Sequence, residues 1–160
     1  METSKNKGEK SLRRANRILA VQWIYMCEAR GMVAGPENFS ALCALLDKDP
    51  LHFTFAKEIV ALLQKNLVEV DALIERFATN WNLSRIALVD LCIIRLGACE
   101  LLYRNDIPPI VAINEAIELG KIFSGEASKA FINGILDRIK CTLSRSLRTA
   151  SVSNADYVNQ

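Results

Sequence analysis

From Ser84 to Tyr103 the apolar side chains spread around most of a helical circumference, with Ile86, Val89, Ile93, Leu96 and Leu101 falling on different sides at about 100° per residue. A helix that is apolar nearly all round has no face to give to water, so it must sit at the centre of a helical assembly. Asp90 and Arg95 interrupt the run well short of the ~18 uncharged residues that a membrane span requires. The rest of the chain therefore has to supply amphipathic partners for this segment, and no stretch shows the alternation of a half-buried strand.

The partners can be read from caps and periodicity. Residues 1–10 are polar and lysine-rich and are expected to be loosely held. Ser11 is a candidate N-cap for a helix running to Arg30, with Gly31 as the residue that ends it. Leu12, Ala15, Leu19, Trp23 and Met26 recur there at steps of three and four and predict one apolar stripe. Gly35 and Pro36 open a short second helix through Leu46, and Asp49 followed by Pro50 caps a third. Residues 51–77 are apolar at helical spacing, as one long helix or as two broken at Asn66. After a turn at residues 79–82 comes the central segment, then a helix from Ile110 to Phe123 ended by Gly125, and a last one from Glu126 to Leu147. The expected fold is all-α, with about seven helices in two packed helical-bundle subdomains over residues 11–80 and 81–147 and a flexible tail over 148–160.

Composition narrows the chemistry. The 160 residues are 51% hydrophobic and 24% charged, the balance of a globular domain rather than a disordered one. The N-terminus has no apolar core of a secretory signal, which makes the cytoplasm the expected compartment. Cys27, Cys43, Cys92, Cys99 and Cys141 form no C-x-x-C pair and read as buried reduced thiols. His52 is the only histidine, which leaves no ligand set for a structural metal, and no cofactor is expected. Phosphate-binding glycine loops and a nucleophile elbow are missing too. His52 has no nucleophile near it in sequence, and Glu115 and Glu118, three apart, read as a solvated face. The chain is not expected to be an enzyme.

Charge is polarised although the net value is only +2. Lys5, Lys7, Lys10, Arg13, Arg14 and Arg17 face a single acid, Glu9, across the same segment. On a helix, Arg13, Arg14 and Arg17 fall within about a quarter-turn or so of one another, with Tyr25 further along the edge. Such a row can bind phosphates, and the tyrosine can stack on an unpaired base. A solvated polar face has the same pattern, and the residues alone leave both readings open. Gly134, inside the last helix, suggests a close approach between helices.

Taken together, these blocks resemble the NusB family. Arg13, Arg14 and Arg17 with Ala20, Gln22 and Tyr25 match its "RR-x-A-R … A-x-Q-x-L-Y" opening. Val89 and Asp90 with Arg95, Glu100 and Leu101 are similar to its central helix. Residues 108–119, running from Pro108 through Asn114 and Glu115 to Leu119, match "P-x-x-V-A-I-N-E-A-I-E-L", and Phe131 to Asp137 match "F-V-N-G-V-L-D". The resemblance covers about residues 11–140 in family order. It implies an RNA-binding antitermination factor that pairs with the small-subunit ribosomal protein NusE. The pair would bind single-stranded boxA RNA of nascent, chiefly ribosomal, transcripts and so act on the RNA polymerase elongation complex indirectly. It assigns RNA contact to Arg13, Arg14, Arg17 and Phe131 and partner contact to Tyr25 and Asp90, and it makes Asn114, Glu115, Asn133 and Gly134 structural, holding the last two helices in register. Cys99, where many members carry an aromatic residue, is expected to alter the partner surface, and Ala127 and Lys129 replace common polar residues near Phe131. Gly97 and Gly120 stand where alanine is frequent.

Two other readings share the helical fold. One is the RNA-binding domain of an RNA cytosine methyltransferase, for which a chain ending at Gln160 leaves no room for a catalytic domain. The other is a protein-interaction module without RNA binding, which predicts no steep salt dependence toward RNA.

Overall fold

The computed structural model describes residues 2–78, 82–144, 146–147 and 149. Among them lie seven α-helices and no strand: α1 (Glu2–Ala29), α2 (Pro36–Leu45), α3 (Thr54–Lys65), α4 (Leu67–Phe77), α5 (Leu88–Tyr103), α6 (Pro109–Phe123) and α7 (Glu126–Lys140). The all-α class read from periodicity is the observed one. The chain forms two compact units, Met1–Lys65 and Asn66–Gln160. The division falls at the Asn66 break rather than at the Asn80 turn expected from the sequence, because α4 packs on α5 and α7. Residues 79–81 of that turn lie outside the described residues, as does the tail over 148–160 apart from residue 149.

In the first unit α1 packs on α3 and on α2. α1 begins at Glu2 rather than at Ser11. The preceding segment holds no proline, and a helix already nucleated extends at little cost through lysine and glutamate. Its C-terminus is as expected: Gly31 has φ +62°, and the amides of Gly31 and Met32 return to the carbonyls of Glu28 and Cys27 at 3.1 and 2.8 Å. The buried face keeps Leu19 and Trp23 of the predicted stripe but is shifted from it. Leu12 is 48% exposed, whereas Asn16 and Arg17 are buried along with Ala20, Ile24 and Cys27. Trp23 ties α1 to α2, its ring 4.6 Å from that of Phe39 and its Nε1 donating to Asn38 Oδ1 at 2.6 Å. The same oxygen accepts from the amide of Gly35 and so serves the N-terminus of α2. Asp49 caps a short 3₁₀ turn over Pro50–His52, through the Leu51 amide, and α3 starts only after it.

The second unit is built around α5. Every residue from Asp90 to Leu101 is buried, as a helix apolar all round demands. α4, α6 and α7 surround it. Two glycines let the helices approach. A Cβ on Gly97 would lie 2.9 Å from Leu136 Cδ1 and 3.3 Å from Ala116 Cβ, and one on Gly120 would lie 2.7 Å from Ile132 Cδ1. Gly134, which the sequence suggested for this role, faces open space with no atom within 4 Å. Three of the buried residues on α5 are charged: Asp90, Arg95 and Glu100. Arg95 grips Asp71 of α4 with two bonds, Nε to Oδ1 at 2.7 Å and Nη2 to Oδ2 at 2.8 Å.

α7 stops at Lys140, short of the expected Leu147. The Thr142 hydroxyl donates to the Ile139 carbonyl at 2.7 Å, and the Leu147 carbonyl accepts from the Ile110 amide at 3.1 Å. That amide lies in the first turn of α6 and has no partner inside its own helix, so the Leu147 carbonyl satisfies it. At the other end of α6, Gly125 takes φ +94°, a value that strongly favours glycine, and its amide and that of Ser124 both return to the Gly120 carbonyl. No described helix is long and apolar enough to cross a membrane.

Candidate nucleic-acid interface

The arginines of α1 are placed by contacts with α3. Phe55, in the first turn of α3, presents its ring to two of them: the Arg13 guanidinium carbon lies 4.7 Å from the ring centroid and that of Arg17 lies 5.3 Å from it. Arg13 and Arg14 are half-buried. Arg17 is only 4% exposed, so of the two readings that the helical wheel left open, a solvated face does not hold for it. Its guanidinium lies against the Phe55 ring instead, a placement that a pattern of charged and apolar letters does not foresee.

Asn16 fixes this arrangement. It is 2% exposed, and its Oδ1 accepts from the Ala56 amide at 3.0 Å while its Nδ2 donates to the carbonyls of His52 at 3.1 Å and Leu12 at 3.0 Å. Ala56 lies in the first turn of α3, whose amides have no partner within the helix. The preceding residue, Phe53, has no side-chain acceptor, so the cap comes from α1, 40 residues away in sequence. Neither Asn16 nor Phe55 stands out in the sequence as a site residue. The signal that could have found Asn16 is a polar side chain inside an otherwise apolar helical face. His52 contributes its backbone carbonyl here, while its exposed imidazole lies 3.9 Å from the Asp49 carboxylate.

Tyr25, further along α1, is 44% exposed and available to a partner. Asp90 is not: it is 7% exposed, and its carboxylate accepts from the Ser124 hydroxyl through Oδ1 and from the Ser128 hydroxyl at 2.9 Å through Oδ2. These bonds tie the first turn of α5 to the turn after α6 and to the first turn of α7. Phe131, one turn further along α7 than Ser128, is half-buried, with Ala127, Lys129 and Ala130 exposed around it. The structure thus places the arginine row and Tyr25 on α1 of the first unit, and Asp90 and Phe131 in the second.

Other expectations change. Asn114 is exposed, and Asn133 donates to Asp137 within α7, so the close packing of α6 on α7 falls to Gly120, and that of α5 on both to Gly97. Cys99 is fully buried and is no part of a surface; burial, helped by the charge of Glu100, pushes its thiol up to about 12. Cys27 and Cys43 are likewise raised, chiefly by burial, while Cys141 is exposed. Glu118 is held by Lys121 at 2.8 Å on the surface of α6. Among the described residues no group of three or more His, Cys, Asp or Glu side chains is placed to hold a metal ion.

The family model described as "NusB family" matches residues 14–140. The transcription antitermination protein NusB of Myxococcus xanthus is 43% identical over 136 residues, which cover 83% of this chain and 97% of that protein. That of Geotalea daltonii is 44% identical over 140 residues, with the same shares covered. Among solved structures, NusB of T. maritima superposes with a TM-score of 0.73 at 32% identity, covering 83% of this chain and 93% of that one. A chain from a structure of the antitermination factors NusB and NusE in complex with dsRNA gives 0.74 at 25% identity, covering 83% and 98%. With the family blocks in order, the helices they predict in place and relatives of this similarity over nearly their whole length, the chain belongs to the NusB family.

Proposed function

We propose that this chain is a cytoplasmic, non-enzymatic RNA-binding antitermination factor. It would pair with a NusE-type ribosomal protein and bind single-stranded boxA-type RNA of nascent, chiefly ribosomal, transcripts. The observation that carries the reading is the row of arginines on α1, two of them oriented over the Phe55 ring. Its relatives among transcription antitermination proteins, and a similar structure that holds NusB, NusE and RNA together, support it. In this reading Arg13 and Arg14, the less buried members of the row, contact phosphates, and Arg17 adds positive potential beneath them. Phe131 stacks on a base. Tyr25 meets the protein partner, and Asp90 supports that function from inside, through Ser124 and Ser128.

The test is fluorescence anisotropy with a boxA-type strand, a scrambled strand and an RNA duplex, with and without the NusE-type partner, across a salt series. Sequence-selective binding of the single strand that tightens with the partner is expected. Replacing both Arg13 and Arg14 by alanine should weaken it and flatten the salt slope by about 0.7 for each phosphate that is no longer neutralised. Equal affinity for all three RNAs, or an unchanged salt slope in the double variant, would overturn the reading.

A further inference from the structure

We infer that Phe55, locked to α1 by Asn16, is a positioning residue for RNA: its ring, with the buried Arg17 guanidinium packed beside it, holds the guanidinium group of Arg13 in its binding orientation before RNA arrives. The inference rests on the arginine reading above and adds a residue that need not touch RNA, since Phe55 is only 8% exposed.

Arginine carries one of the largest losses of rotamer freedom when its side chain is fixed, and binding must bear that loss unless the free protein has already borne it. Here two guanidinium groups share one aromatic ring, at 4.7 and 5.3 Å. A planar, weakly hydrated guanidinium stacks on a ring where an ammonium would stay in water, so the contact sets the plane of the group as well as its place. The planar fork is what pairs two N–H groups with two phosphate oxygens, so orientation matters more than charge alone. The ring in turn cannot drift from α1. Asn16 lies between Arg13 and Arg17 in the sequence, and its bonds to the Ala56 amide of α3 and to the His52 carbonyl of the preceding 3₁₀ turn hold the chain on both sides of Phe55. One side chain thus caps α3 and sets the ring in register with the arginines one turn apart.

The prediction is a coupling between Phe55 and Arg13 that a purely structural phenylalanine would not show. Four full-length proteins are compared for binding to a labelled boxA-type RNA: wild type, Phe55→Leu, Arg13→Ala and the double variant. Leucine keeps an apolar side chain and removes the aromatic face. Phe55→Leu should weaken binding about five- to tenfold, roughly what losing the order of one or two long side chains costs. In the Arg13→Ala background the same change should cost no more than about a third as much. Phe55→Tyr, which keeps the face, should bind as wild type does. An equal loss in both backgrounds, or no loss in either while Arg13→Ala itself weakens binding, overturns the positioning role and leaves the arginine reading standing. Unchanged binding by Arg13→Ala overturns the arginine reading and this inference with it. If Phe55→Leu fails to fold, the wild-type protein decides the matter by NMR. Arginine side-chain resonances of Arg13 and Arg17 that are ring-shifted and dispersed without RNA support preorganisation, and random-coil values overturn it.

Discussion

Replacing Gly134 by alanine adds one methyl group to the interior of α7 at a position with no heavy atom within 4 Å of the new carbon. The steric cost is therefore nil, and what remains is the helix preference of alanine over glycine, about 1 kcal/mol in favour of the folded state. The same substitution at Gly97 of α5 carries the same preference but meets Leu136 Cδ1 at 2.9 Å and Ala116 Cβ at 3.3 Å, both side chains buried in the packing of α6 and α7. Overpacking of a tight core costs about 1–3 kcal/mol, so the net effect at Gly97 is a loss of about 1 kcal/mol. The two variants should thus differ by about 2 kcal/mol with opposite signs, a separation of roughly 4–8 °C in melting temperature for a chain of this size. Urea unfolding followed by helical circular dichroism measures this. Both glycines lie in the same compact unit, so they report on the same transition. If Gly97→Ala stabilises as much as Gly134→Ala, the reasoning that α5 needs a glycine for helix approach is refuted. A destabilised Gly134→Ala would show that its surroundings are not open.

Asp71→Asn removes the charge that faces the Arg95 guanidinium, whose side chain is 8% exposed against 22% for Asp71. Losing this doubly bonded carboxylate should lower stability by about 3 kcal/mol in the same urea assay, and a loss below about 1 kcal/mol would argue that the pair is not what holds α4 to α5. Cys99 gives a dependence on alkaline pH. Its folded-state value is raised to about 12 from 9.0, so its contribution to stability is complete below pH 9.0 and is lost as pH climbs toward 12. The unfolding free energy measured across that window should fall more steeply for wild type than for Cys99→Ala, and parallel curves would contradict the assignment.

Much of this molecule is legible in the letters because helices are local objects. The all-round apolar character of residues 84–103 and the glycine at position 31 follow from backbone geometry and from burial at a period of 3.6 residues, whereas the same period left one helix or two open over residues 51–77, and the structure breaks them at Asn66. The arginine row is legible for the same reason, and its spacing sufficed to mark α1 as a candidate surface. Its chemistry was not. That Arg17 is covered, that Asn16 caps a helix 40 residues away, and that Phe55 lies beneath two guanidinium groups depend on which helices meet, and periodicity does not encode that. Asp90 is the same case in the second unit: a carboxylate in the first turn of a helix reads as a surface charge until Ser124 and Ser128 close over it. Gly134 misled because a glycine in a helix has the same local cost wherever it lies, while only the neighbouring helix shows whether a methyl group would fit, as at Gly97. The sequence by itself determined the helices and the charge they carry. The tertiary structure decided which polar groups are buried and what satisfies them, because a buried donor or charge is tolerated only where a partner distant in the chain is brought within hydrogen-bonding reach.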